Sequence, residues 1–172
     1  LFPYTTLFRS DFVVFQGSEL GDDVNGHRNT IFAGDRPEPR REPDPDPDKP
    51  SHLPAHKAQD AFHGRDDVLL TYHHTKVWNN WSRWDPTVES LLEIYSCWGS
   101  GEKPGTDLWD VLAEHSGGAQ EAWAKGYRLG VCAGSDTHTG TPGRDIRNAE
   151  RDEMLIYPCG LTGVWAEELT RE

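Results

Sequence analysis

Residues 67–75 read DVLLTYHHT, a short apolar run that ends in two adjacent histidines. The composition of residues 67–72 predicts a buried strand. Neighbouring side chains of a strand point to opposite faces, so only one of His73 and His74 faces the interior unless the strand ends before them. We favour one metal ligand and one structural, hydrogen-bonded histidine, because a metal-bound imidazole needs an orienting partner. Which of the two is the ligand stays open.

Similar short strands are predicted on both sides of this one. They lie at residues 11–15, 28–33, 90–95 and 129–133, and a sixth begins at 154–157. Helical spacing is present in residues 106–115 and 119–125. Residues 35–54 are dense in proline and charge, which predicts a long surface loop. Strands joined by helical or loop crossovers are typical of an α/β barrel or an open parallel sheet.

Polar residues follow several of these apolar runs directly, at Glu19, His73, Asp136 and His138. In α/β barrels, the carboxyl ends of the strands form the rim that carries the chemistry. Asp136 and His138 lie two residues apart in AGSDTHTGTPG (133–143), so at a strand end they point the same way. A carboxylate and an imidazole that converge form half of a metal site. For this tripeptide alone, a turn with an incidental histidine is an equal alternative.

Two further acidic residues are candidates for the same site. Glu19 and His27 flank a glycine- and aspartate-rich turn in GSELGDDVNGHRN (17–29), and a hairpin would bring them together. Glu93 lies within the otherwise apolar run SLLEIY (90–95). If it is buried it needs a partner, because burying a bare carboxylate is costly, although an outward-facing side chain is the commoner case.

The composition excludes several classes of partner. The chain has 172 residues and a net charge of −12, or −13 without residues 1–10, which disfavours nucleic acid and anionic membranes as partners. No apolar run is long enough to span a membrane. The three cysteines read as buried thiols, not as a disulfide framework. The compartment, cytoplasmic or periplasmic, is not determined.

The first ten residues, LFPYTTLFRS, are expected to be foreign to the protein. The DNA string CTC TTT CCC TAC ACG ACG CTC TTC CGA TCT translates to them and resembles a common sequencing adapter. We therefore exclude residues 1–10 from fold reasoning and treat 11–172 as one domain fragment of a larger protein.

The segments GSE, GHRN, YHHT, EIYS.WGS and GVCAGSDTHTGTPG together resemble the polymerase-and-histidinol-phosphatase (PHP) superfamily of metal-dependent phosphoesterases. The closing GLTGVWAEELTRE is similar to a mostly bacterial branch with a domain of unknown function. The resemblance covers nearly all of residues 11–172. It implies an α/β fold, a distorted TIM-like (β/α)7 barrel, here lacking its first strand. Its rim would hold two or three divalent ions, usually zinc, manganese or iron.

The resemblance also implies a ligand set. It is made up of Glu19, His27, His73 or His74, Asp136 and His138. The family's first motif, His-x-His, is absent from the chain. We expect that it was lost upstream of residue 11, which would leave an incomplete and inactive site. The alternative is a degenerate, metal-poor member.

The expected function is hydrolysis of a small-molecule phosphoester by metal-bound hydroxide. Asp136 and His138 would be ligands, and Glu19 a ligand that bridges two ions. Arg28 and Arg144 are candidates for holding the substrate phosphate, although each is more often a solvated surface residue. The alternatives are a metal-dependent amide or ester hydrolase and a non-catalytic ligand-binding module. The module would use the tryptophans Trp78, Trp81, Trp84 and Trp98.

Overall fold

The computed structural model describes residues 15–22, 25–34, 53–75, 79–106, 118–137 and 158–168. These residues form six strands and two short helices. In chain order the elements are β1 (Gln16–Asp22), β2 (Gly26–Phe32), α1 (Ala55–Phe62), β3 (Val68–His73), β4 (Leu91–Ser96), β5 (Gly99–Ser100), α2 (Gly118–Ala124) and β6 (Gly130–Ala133).

All six strands belong to one mixed sheet. Strands β1, β2 and β3 are successive antiparallel neighbours, with His27 of β2 opposite His73 of β3. Strand β4 runs parallel to both β3 and β6 and also carries the two-residue strand β5. The sheet therefore joins an antiparallel hairpin to a parallel core of three strands.

The predicted (β/α)7 TIM-like barrel is wrong for the described residues. A barrel of that kind needs parallel neighbours joined by helical crossovers, whereas β1–β2 and β2–β3 pair antiparallel. The connection after Asp22 is too short for a crossover of a dozen residues and instead closes a hairpin. The two helices have only eight and seven residues.

Several predicted elements are confirmed to within two residues. The strands expected at 28–33, 67–72, 90–95 and 129–133 correspond to β2, β3, β4 and β6, and the helix at 119–125 corresponds to α2. The helix at 106–115, the strand at 154–157 and most of the 11–15 strand and the 35–54 loop lie outside the described residues. Leu53, at the end of that loop, is buried in the core.

Strand β1 and helix α1 were not predicted. The segment QGSELGD of β1 is rich in residues that disfavour strands, but it pairs with β2 at all seven positions. Helix α1 follows Pro54 and has no side-chain cap. Its stability comes from burial of Ala58 and Phe62, because tertiary packing of an apolar face outweighs weak local signals in short helices.

Both helices pack on one face of the sheet, which we call the helix face. Alternate residues of the strands point there, among them Phe32, Leu70 and Leu92. The core around α1 comprises Leu20, Phe32, Leu53, Ala58, Phe62, Val68, Leu70 and Val88. The core around α2 comprises Tyr72, Trp81, Leu92, Ala119, Ala122 and Leu129. The opposite face of the sheet carries neither of the two described helices, and we call it the open face.

A buried ion pair lies on the helix face between these two cores. Arg28 Nε donates to Glu89 Oε1 at 2.7 Å, and both side chains are almost fully buried. The Gln59 amide, the Tyr72 hydroxyl and the Asp85 backbone N–H donate to the other Glu89 oxygen. The charges of Arg28 and Glu89 are therefore paired with each other, as the burial of a charge requires. The guanidinium also stacks over the Tyr72 ring, 3.5 Å from its centroid.

We expect Arg28→Met to lower the free energy of unfolding by about 3–5 kcal/mol, because it leaves the Glu89 carboxylate buried without its cation. Urea unfolding followed by tryptophan fluorescence measures the change. Arg83→Met is the matched control, since Arg83 pairs with the exposed Asp60 and should change stability little. Equal losses of unfolding free energy in the two variants would show that the buried Arg28–Glu89 pair contributes no more to stability than the exposed Arg83–Asp60 pair.

Candidate metal centre

The open face brings together side chains from several strands. Glu19 of β1, His27 of β2 and His73 of β3 all point to this face, because the register places Gly21, His27 and His73 in one row and Glu19 in the next. His74 follows β3, and Asp136 follows β6. We call these five residues, Glu19, His27, His73, His74 and Asp136, the cluster.

Glu19 and His27 meet diagonally across the β1–β2 hairpin, as a hairpin between them would require. His27 Nδ1 and Glu19 Oε1 lie 2.7 Å apart. This hydrogen bond lowers the pKa of Glu19 to about 2, with help from the charges of His73, His27 and His74 and against the effect of burial. Glu19 is thus held as a carboxylate at any ordinary pH.

Strand β3 ends at His73, and the chain then turns at His74, whose φ is 49°. This left-handed conformation is uncommon outside glycine. It turns the second imidazole toward the first, so that the ring centroids lie 3.6 Å apart. Both histidines therefore lie in the cluster, and the expectation that one is a metal ligand and the other a structural partner stays a prediction.

Asp136 follows β6, which is separated from β3 by strand β4, and its side chain approaches the two histidines from that direction. Its Oδ2 lies 3.4 Å from His74 Nδ1 and 3.7 Å from His73 Nε2. Its φ of 51° is also left-handed. The Asp136 carbonyl accepts hydrogen bonds from the Trp98 indole and the Cys97 thiol, which hold the strained backbone in place.

Glu93 is the carboxylate behind His73. It is buried, and its Oε1 lies 3.1 Å from His73 Nδ1, an ion-pair distance although the angles are not those of a hydrogen bond. Burial of His73 lowers its pKa, but the contact with Glu93 and the charges of Asp136 and Glu19 outweigh that effect, so the pKa is raised. Glu93 is therefore a buried carboxylate with a partner, and not the outward-facing side chain that is the commoner case.

Asn79 fixes the turn that carries both histidines. Its amide nitrogen donates to the carbonyls of His73, at 3.3 Å, and His74, at 2.9 Å. Its amide oxygen accepts from Arg28, which also donates to the carbonyl of His27. The sequence did not point to Asn79, because a lone asparagine in a loop carries no motif.

The cluster has the geometry of metal ligands. Ligand atoms of Glu19, His27 and His74, and likewise of His73, His74 and Asp136, lie within 4.8 Å of one another. Atoms about 2.1 Å from a shared tetrahedral ion are about 3.4 Å apart, close to the separations around Asp136 Oδ2. His74 presents Nδ1 to Asp136 and Nε2 to Glu19, at 3.9 Å. A neutral imidazole has only one ring nitrogen without a proton, so His74 can act as a ligand in only one of the two groups at a time.

The structure describes only some of the remaining residues that the sequence analysis singled out. Arg28 points to the helix face and is engaged with Glu89, so its predicted role in holding substrate phosphate is not supported. His138 and Arg144 lie outside the described residues. Of the four tryptophans, Trp81 is buried against Tyr72, Trp84 stacks on Tyr127, and Trp98 touches His74. Trp78 lies outside the described residues.

Comparisons with protein-family models, with curated proteins and with solved structures find no match for this chain. Neither helix in the described part of the chain is long and apolar enough to cross a membrane. The chemistry of the cluster is therefore the basis for assigning a function.

We expect His27→Ala to raise the pKa of Glu19 from about 2 toward its ordinary value of 4.5, since the His27 hydrogen bond is the largest cause of the shift. A depressed carboxylate pKa stabilises the fold above pH 4.5, and this contribution is lost as the pH falls toward 2. NMR titration of the carboxyl carbons, without added metal, measures the pKa. The control is His63→Ala, which removes the partner of Asp85 instead. A Glu19 pKa unchanged by His27→Ala would contradict the assignment.

Proposed function

We propose that the protein is a metal-dependent hydrolase that acts on phosphoesters. The observation that carries the proposal is the convergence of three imidazoles and two carboxylates, in two overlapping ligand groups, on the open face of the sheet. The resemblance to the PHP superfamily assigns Glu19, His27, one of His73 and His74, and Asp136 to metal binding, together with His138, which lies outside the described residues. Mixed histidine and carboxylate ligands suit zinc, manganese or iron better than calcium or magnesium.

The cluster accommodates two ions if its members divide as follows. His73, His74 and Asp136 would hold one ion, and His27 and Glu19 would hold the second. Glu19 Oε1 lies 2.7 Å from His27 Nδ1 and 3.7 Å from His73 Nε2, which supports a role for its carboxylate toward both ions. The His27–Glu19 contact is a hydrogen bond in the absence of an ion. Metal binding there therefore releases a proton and weakens as the pH falls.

Divalent ions at these positions would lower the pKa of water toward neutrality and neutralise the charge that develops on a phosphoryl group. The protein's own groups orient the ligands. Glu93 sits behind Nδ1 of His73 and so leaves Nε2 directed at the cluster. Two adjacent ligand groups suit a phosphoester, because paired ions can clamp both the attacking and the leaving oxygen. Two-metal sites also cleave amides, so turnover has to separate the two reactions.

We expect the chain to bind Mn²⁺, up to two equivalents, and Asp136→Asn to weaken the binding by at least about tenfold. Isothermal titration calorimetry measures the affinity, and 4-nitrophenyl phosphate and 4-nitrophenyl acetate report the Mn²⁺-dependent turnover. Asp60→Asn, on the exposed face of α1, is the control.

The outcomes separate the parts of the proposal. Absence of Mn²⁺ binding would overturn the metal site and the function with it. Binding with turnover of the acetate alone would replace the phosphoesterase by an esterase, and binding without turnover of either substrate would support the metal site but not hydrolysis by this chain.

We expect Asn79→Ala to weaken Mn²⁺ binding by about 10–100-fold, because it releases the carbonyls that hold the His73–His74 turn. Asn80→Ala, a change of the exposed neighbour, should leave the affinity unaltered. Circular dichroism on both variants confirms that they are folded at the temperature of the titration. Equal affinities in a folded Asn79→Ala variant and the parent would show that the turn does not depend on Asn79.

A further inference from the structure

A cavity of about 650 Å³ lies on the open face of the sheet, beside the cluster. Its walls are largely apolar, and the main contributors are Phe15, Ile31, Leu69, Leu91 and Val164. The volume is within the range of pockets that bury a drug-sized ligand, roughly 300–1,000 Å³.

The cavity adjoins the cluster at two residues, although none of the five cluster residues lines it. Glu93 lines the cavity and is also the residue 3.1 Å from His73 Nδ1. Asn29 lines the cavity and lies directly opposite Glu19 in the β1–β2 register. Along β2 the open face therefore passes from a cluster residue, His27, through the polar Asn29 to the apolar Ile31.

The charge of the walls restricts what the cavity can hold. Asp66, Asp67 and Glu93 line it, and none of the lining residues in the described part of the chain is a lysine, arginine or histidine. The Asp67 carboxylate is engaged by Arg65. A second phosphate or carboxylate in the cavity would meet carboxylates, apolar surface and the neutral side chains of Asn29, Thr71 and Thr162, with no cation among the described lining residues. A desolvated anion without a cationic partner is disfavoured.

We propose that this cavity receives the uncharged, apolar part of the substrate while the ester group lies at the cluster. The substrate class is then a phosphomonoester of an apolar alcohol, and the described walls of the cavity offer no cation to hold the further phosphates of a polyanion such as a nucleotide. This inference rests on the proposed function, because it takes the cluster as the reacting end of the same site.

The test uses 1-naphthol as a probe of the apolar part and 1-naphthyl phosphate as a probe of both parts. Calorimetry measures 1-naphthol binding to the metal-free chain, Mn²⁺ binding, and 1-naphthyl phosphate binding to the Mn²⁺-loaded chain. Ile31→Lys puts a charge into the cavity wall. Leu161→Lys adds the same charge at an exposed apolar residue that does not line the cavity.

We expect the parent chain to bind 1-naphthol, and Ile31→Lys to weaken that binding by about tenfold, while Leu161→Lys leaves it unchanged. The Mn²⁺-loaded parent should bind 1-naphthyl phosphate more tightly than 1-naphthol, since both parts are then engaged. Ile31→Ser adds no charge and should also weaken 1-naphthol binding. It keeps the test valid if the Ile31→Lys variant does not fold.

The failures of the two proposals are distinguishable. Mn²⁺ binding without 1-naphthol binding, or with equal 1-naphthol affinity in the Ile31 and Leu161 variants, would overturn the substrate assignment alone. Binding of 1-naphthol without Mn²⁺ binding would overturn the proposed function and, with it, the assignment of the cavity to a substrate.

Discussion

The Arg28 guanidinium is the buried charge on which both faces of the sheet depend. Removed from water, it needs partners on every side, and it finds Glu89, the carbonyl of His27 and the amide oxygen of Asn79. Through Glu89 it joins α1 and the loop before β4 to the sheet. Through Asn79 it reaches the turn that carries His73 and His74. The core and the cluster are thus linked by hydrogen bonds and not only by proximity.

The cluster is assembled at a cost in backbone conformation. His74 and Asp136 both have positive φ, at 49° and 51°, and residues held in such regions cost on the order of 1–3 kcal/mol each. Asn79 holds one turn, and Cys97 and Trp98 hold the other. Strain that neighbouring residues maintain in this way is typical of functional sites, since a relaxed turn would direct these side chains elsewhere.

Strand positions with strong local signals could be predicted, and the architecture could not. The strands β3 and β4 could be predicted because each is a short apolar run with β-branched and aromatic residues, which suits a buried strand. The hairpin that joins Glu19 to His27 could be anticipated, but the position of β1 could not, because QGSELGD reads as a turn and becomes a strand only beside β2. The barrel was expected from the resemblance and from the order of strands and crossovers, and the direction of the strands could not be checked from periodicity. An antiparallel neighbour and a parallel one have the same alternation.

The sequence by itself determined which chemical groups the protein has available: Glu19, His27, the His73–His74 pair, Asp136 and the carboxylate of Glu93. It also determined that Glu93 needs a partner if it is buried, because that follows from the cost of burying a charge anywhere. Only the tertiary structure decided that both histidines enter the cluster and that Arg28 faces the core. These outcomes depend on a turn at His74 and on the parity of the β2–β3 register, where a shift of one residue would exchange the two faces.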